Sequence, residues 1–198
     1  MPHADSSYLP DSVITKAQLW AHIHEQLGYL IASQRQWIPS GTDCQVSNLA
    51  NASSLIYHSL ASFPEFGTGD SAVNWSGFYL ASEFVPHSKP DPSGPRLLLG
   101  PFCGRPACQF IRAQPGKGVC ADAFVNKSTV LVKDVEAYPG HIACDGGTRS
   151  EIVSPIFAAD GRVVGVLDLD CLKEGAFEEV DREGVEKIAK LLGEGCDW

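Results

Sequence analysis

Ile152-Val153-Ser154-Pro155-Ile156-Phe157-Ala158-Ala159-Asp160-Gly161-Arg162-Val163-Val164-Gly165-Val166-Leu167-Asp168 reads as two strands joined by a turn. Apolar and β-branched residues fill both arms, Ile152 to Ala158 and Arg162 to Asp168. Asp160-Gly161 between them is a turn pair of the kind that closes hairpins. A hairpin is antiparallel by construction, so the sheet around it is expected to be antiparallel at least in part.

The rest of the chain is consistent with that frame. After the hairpin, Val185, Ile188, Ala189 and Leu192 share one face of a helix expected from about Glu178 to Leu192. Before it lies a glycine-rich, polar loop, Tyr138 to Arg149. Further back come a β-rich run at Thr129-Val130-Leu131-Val132, a short helix from Gly118 to Lys127, and a strand from Ala107 to Arg112. Strands at Trp75-Ser76-Gly77-Phe78-Tyr79-Leu80 and Arg96-Leu97-Leu98-Leu99 flank Pro86–Pro95, which is expected to be a mobile loop.

Two helices come first. Thr15-Lys16-Ala17-Gln18 matches a capping box, and Leu19, Ile23, Leu27, Leu30 and Ile31 follow at helical spacing. A break at Pro39–Asp43 precedes a second stripe of Val46, Leu49, Ala50, Ser53, Ile56 and Leu60. The order predicts an α+β fold, an antiparallel sheet flanked by helices, with residues 1–15 as an N-terminal extension and 16–198 as one domain.

Composition bounds the function. Fifteen basic and twenty-four acidic residues leave a net charge of −9, the wrong sign for a nucleic-acid binder. No apolar run approaches the roughly 18 residues that span a bilayer, and the first residues lack the basic and apolar regions of a secretory signal. A cytoplasmic protein with no nucleic-acid and no membrane partner is expected. Its seven cysteines, Cys44, Cys103, Cys108, Cys120, Cys144, Cys171 and Cys196, are odd in number, which argues against a structural disulfide framework. They can be inert packed thiols, metal ligands or redox groups.

Cys108 is expected to begin a strand, Cys120 to sit at a helix start, and Cys144 to lie in the loop His141-Ile142-Ala143-Cys144-Asp145-Gly146-Gly147. A thiol reacts as its thiolate, which helix N-termini and positive neighbours favour. The glycines after Cys144 leave backbone N–H groups able to meet an anion. His141 reads either as a base for Cys144 or as a loop residue capping backbone groups. Asp168 and Asp170 share a strand face by alternation, and the hairpin brings Glu151 back toward them. Together they read as a solvated strand end, or as a pocket for a cationic group with a carboxylic acid of raised pKa. Trp75 and Tyr79 share a face as core or as the wall of an apolar pocket. Gly116-Lys117-Gly118 lacks the full phosphate-loop pattern. The gaps between Cys103, Cys108 and Cys120 do not match paired zinc knuckles, so no metal and no cofactor is expected.

These stretches resemble the free methionine-(R)-sulfoxide reductases, enzymes built on a single GAF domain. The resemblance rests on Asn74-Trp75-Ser76-Gly77-Phe78-Tyr79, Leu99-Gly100-Pro101-Phe102, Gly118-Val119-Cys120, Gly140-His141-Ile142-Ala143-Cys144-Asp145, Ser150-Glu151-Ile152-Val153 and Gly165-Val166-Leu167-Asp168-Leu169-Asp170. It implies that Cys144 is the catalytic cysteine, Cys108 the resolving cysteine and Cys120 a third thiol able to pair with Cys144. It also implies a substrate pocket of Trp75, Tyr79, Glu151, Asp168 and Asp170, beside Ile142 and Ala143. The implied partners are free methionine-(R)-sulfoxide and thioredoxin as reductant, and the oligomeric state, a homodimer included, stays open. Cys103 departs from the family pattern and competes with Cys108 as a resolving thiol. The segment between Cys108 and Cys120 is longer than usual, and Pro86–Pro95 is an insertion. The rival expectation is a GAF ligand-binding or redox-sensor module without turnover, against which stands the lack of any output-domain pattern in these 198 residues.

Overall fold

A computed structural model describes residues 4–32, 47–85, 88–89, 91–142 and 145–198. The expected break at Pro39–Asp43, Cys44, Val46, and residues 86, 87 and 90 of the Pro86–Pro95 segment lie outside the described residues, as do Ala143 and Cys144.

Helices α1 (Lys16–Ile31) and α2 (Ser47–Ala61) precede strands β1 (Val73–Ala81), β2 (Arg96–Gly104) and β3 (Phe110–Arg112). Then follow α3 (Val119–Asn126), β4 (Val130–Val132), β5 (Ser150–Phe157), β6 (Val163–Cys171) and α4 (Glu179–Gly195). The strands form one sheet in the order β3-β2-β1-β6-β5-β4, with every neighbouring pair antiparallel. The expected α+β architecture is the observed one.

Alternation along the central strands divides the molecule into two layers. Phe78, Leu80, Ile152, Ile156, Leu167 and Leu169 face one side and pack against α1, α2 and α4. Each of these fully buried large side chains contributes roughly 1.5–3 kcal/mol. Trp75, Tyr79, Val132, Val153 and Val166 face the other side, which among the described residues α3 and loops cover. This thinner layer holds the cleft described below.

Local chemistry explains the element ends. Thr15 caps α1 through its side chain, which accepts from the Gln18 backbone N–H at 3.3 Å, while the Gln18 side chain accepts from the Thr15 N–H at 3.1 Å. Lys16, buried in the first turn, donates to Asp181 at 2.8 Å and to the Ala176 carbonyl at 2.8 Å. Asp181 also accepts from the Trp20 indole at 2.8 Å and from the Glu178 N–H at 2.8 Å. One buried carboxylate thereby ties the start of α1 to the start of α4. The residues before α1 are not detached, since Leu9 and Val13 pack on the main core.

Four expectations need correction. The hairpin closes through three residues, Ala159 to Gly161: the Gly161 N–H donates to the Ala158 carbonyl at 2.9 Å and the Ala158 N–H to Arg162 at 2.9 Å. Gly161 holds φ at 84°, as a type I turn followed by a left-handed residue requires. Ala50 is exposed and Ala52 is buried in its place, because the buried face of α2 runs through 49, 52, 53, 56 and 60.

The strand expected at Arg96–Leu99 continues to Gly104. Gly77 pairs with Phe102 and Tyr79 with Leu99, so Gly100 and Pro101 together oppose Phe78. This bulge accommodates a proline that lacks the N–H of a regular ladder. The strand expected at Ala107–Arg112 is confined to Phe110–Arg112, which pairs only with residues 96–98 of β2. Cys108 therefore precedes the strand instead of beginning it.

Candidate active site

β1, β5, β6 and the first turn of α3 converge on a small cleft with a cavity volume of about 40 Å³. Asp170 lies across from Trp75 on one side and Glu151 on the other, and Asp168 lies across from Gly77 and Val153. Antiparallel partners share a sheet face, so one face carries all three acids and the aromatic pair. Trp75, Tyr79, Cys120, Glu151, Asp168 and Asp170 all line the cleft, with Ile142 exposed at its rim.

The aromatic wall depends on a missing side chain. The Trp75 ring stacks on Tyr79 at a centroid distance of 6.0 Å and on Phe102 at 5.4 Å. Between Trp75 and Tyr79 stands Gly77, where an added Cβ would collide with the Trp75 ring and with Phe102 Cβ. The indole lies down over the strand because position 77 is bare. Its N–H donates to the Arg105 carbonyl at 3.2 Å, and the Tyr79 hydroxyl donates to the Cys108 carbonyl at 2.9 Å.

The acids share a poorly solvated space. Glu151 and Asp168 are each 6% exposed and Asp170 is half-buried. Burial, with Asp170 nearby, pushes the Glu151 carboxyl up to about 7 against the opposing contact with His141, whose Nε2 is 3.4 Å away. Burial and the neighbouring Glu151 push Asp168 well above the carboxylate range, and burial and Asp168 do the same to Asp170. Like charges withdrawn from water favour their neutral forms. The cleft is thus a proton store at neutral pH and an attractive place for a cation.

Cys120 was expected at a helix start, and it occupies the second position of α3 after Gly118. Its thiol donates to Asp168 Oδ2 at 3.2 Å. Burial and the Asp168 charge push that thiol well above its usual range, so the carboxylates outweigh any effect of the short helix. His141 faces Glu151. Cys108 is half-buried and is not among the residues lining the cleft, although Tyr79 anchors its backbone at the edge. Cys103 pairs with Ser76, so the register turns it to the helix-covered face, opposite the cleft. Cys171 and Cys196 are buried in the main core.

Residues that sequence reasoning did not assign complete the mouth. Asp145 accepts from the Gly147 N–H at 3.0 Å, from Asn74 at 3.3 Å and from Arg105 at 3.4 Å. The Gly147 bond, with help from Asn74 and Arg105, holds its carboxyl below the usual range. Arg105 and Lys117 bring the cleft two positive groups. A cation in the interior and an anion at the mouth would meet complementary charge, as in a zwitterion.

Relatives of the chain agree with the architecture. Residues 72–195 match the family model of a GAF domain. The chain is 48% identical to the free methionine-R-sulfoxide reductase of Saccharomyces cerevisiae over 151 residues, covering 76% of this chain and 75% of that protein. It is 30% identical to the enzyme of the same name from Escherichia coli over 179 residues, 90% of this chain and 89% of that one. The X-ray structure of free methionine-R-sulfoxide reductase from Neisseria meningitidis, in complex with its substrate, superposes with a TM-score of 0.74 at 34% identity, covering 94% of this chain and 93% of the other. The resemblance carried by a few motifs thus extends over most of the chain, which belongs to the free methionine-R-sulfoxide reductase family of GAF-domain proteins.

Proposed function

We propose that this protein reduces free methionine-(R)-sulfoxide to methionine, with Cys144 as nucleophile. The observation that carries the reading is the trio of Glu151, Asp168 and Asp170, gathered on one sheet face against the Trp75–Tyr79 wall, in a chain whose relatives carry that activity in their names. A free amino acid brings an ammonium group for the acids and an apolar thioether end for the rings.

The chemistry follows from the groups present. The Cys144 thiolate attacks the sulfoxide sulfur while the sulfoxide oxygen takes up a proton. Methionine leaves, and the oxygen stays on Cys144 as a sulfenic acid. Glu151, Asp168 and Asp170 divide two tasks, holding the ammonium and donating the proton. Glu151, with a carboxyl near 7, is the acid best matched to proton transfer at neutral pH. Cys108 then condenses with the sulfenic acid, releasing water and forming a disulfide, and Cys120 is the third thiol available to pair with Cys144. An external dithiol, thioredoxin, reopens the disulfide by exchange and is itself oxidised. The sheet face occupied by Cys103 favours Cys108 as the resolving thiol.

The test is methionine release from separated R and S diastereomers with dithiothreitol or thioredoxin. The expected result is catalytic turnover of the R form alone, lost in Cys144→Ser. Stoichiometric binding without methionine release would favour a GAF ligand-binding module.

A further inference from the structure

We propose that Cys120, Glu151 and Asp168 form a binding site for a thiophilic divalent cation, Zn²⁺ or Cd²⁺, that closes the cleft when occupied. The Cys120 sulfur and one carboxylate oxygen from each acid all lie within 4.8 Å of one another, and all three residues are buried. A separate observation points the same way. Asp168 Oδ1 is buried without a hydrogen-bond partner, in a residue 94% withdrawn from solvent that lines the cleft. A buried acceptor left unpaired costs roughly 1–3 kcal/mol. A cation between the three ligands that Asp168 holds through both carboxylate oxygens removes that cost.

The donor set selects the ion. Mg²⁺ and Ca²⁺ take oxygen ligands, whereas one thiolate with two carboxylates suits Zn²⁺ and its softer relatives. Tetrahedral Zn²⁺ places a sulfur ligand about 2.3 Å and oxygen ligands about 2.1 Å from the metal, so the ligand atoms stand about 3.6 Å apart. Cys120 Sγ and Asp168 Oδ2, at 3.2 Å, are already near that separation. The ligands stand on three framework elements, α3, β5 and β6. The metal replaces the Cys120 thiol proton and the protons that the Glu151 and Asp168 carboxyls carry, all of which leave to solvent. This donor set differs from the cysteine pairs weighed on sequence spacing, and its members come from distant parts of the chain.

Binding of the ion does not depend on the reductase activity proposed above. Only its inhibitory consequence does, because Glu151 and Asp168 also belong to the proposed substrate pocket. The experiment is therefore a direct titration of the reduced full chain with Cd²⁺, read by the thiolate-to-cadmium charge-transfer band in the ultraviolet. The expected result is one site per chain, retained in Cys144→Ser and Cys103→Ser. Cys120→Ser should abolish the band, and Asp168→Asn should weaken binding by at least about tenfold. Thermal unfolding supplies a second readout: Zn²⁺ in excess should raise the wild-type midpoint and leave that of Cys120→Ser unmoved. A band that survives Cys120→Ser or disappears in Cys144→Ser overturns the proposal, as does the absence of any one-to-one binding.

Discussion

Replacing Glu151 by Gln should flatten the pH dependence of stability. In the folded protein burial, with Asp170 nearby, raises this carboxyl from 4.5 to about 7. Between those values the folded state holds a proton that the unfolded chain has released. Stability is therefore fully present below about 4.5 and is lost as pH rises through about 7. At 1.36 kcal/mol for each unit of pH, the interval integrates to about 3 kcal/mol lost by about pH 8. Gln keeps the shape and has no proton to lose. Urea unfolding of the reduced wild type and Glu151→Gln, from about pH 4.5 to about pH 8, reads the effect as a difference, to which relief of the neighbouring Asp168 adds in the same direction. The variant should gain about 3 kcal/mol relative to wild type across the range while losing activity. A difference constant to within about 0.5 kcal/mol would refute the reasoning, because it would mean that Glu151 titrates alike in both states.

Three further outcomes are expected. Gly77→Ala should cost about 1–3 kcal/mol by overpacking Trp75 and Phe102, and should raise KM as the aromatic wall moves; chemical denaturation and steady-state kinetics check both. Lys16→Met should cost about 3 kcal/mol, measured by denaturation, by leaving buried Asp181 without its cation, and should leave KM unchanged because the clasp lies outside the cleft. Cys108→Ser should release about one methionine per chain and then stall with thioredoxin, for want of a partner for the sulfenic acid; a single-turnover assay reads this directly.

What sequence could reveal was the chemistry carried by neighbours in the chain. The Thr15–Gln18 box, the turn at Gly161, the shared face of Asp168 and Asp170, and that of Trp75 and Tyr79 are all set by local spacing. The continuation of β2 was hidden because Gly100-Pro101 looks like a break when read alone, and becomes a bulge only opposite Phe78. The contact between His141 and Glu151 and the bond from Cys120 to Asp168 join residues on separate segments, which no periodicity encodes. The state of Cys120 shows the cost of that blindness. A helix start suggests an activated thiol, but the acids opposite it, visible only in the fold, raise its pKa. The face on which Cys103 lies likewise needed the pairing with Ser76.

The most direct test compares kcat/KM for free methionine-(R)-sulfoxide and its N-acetyl derivative. Acetylation removes the positive charge and leaves Glu151, Asp168 and Asp170 facing a neutral amide. A site built around a specific polar group rejects an analogue lacking it by roughly 10⁴-fold. The account predicts a preference for the free amino acid of about that size, and a ratio near one would contradict it, showing that these carboxylates do not read the ammonium.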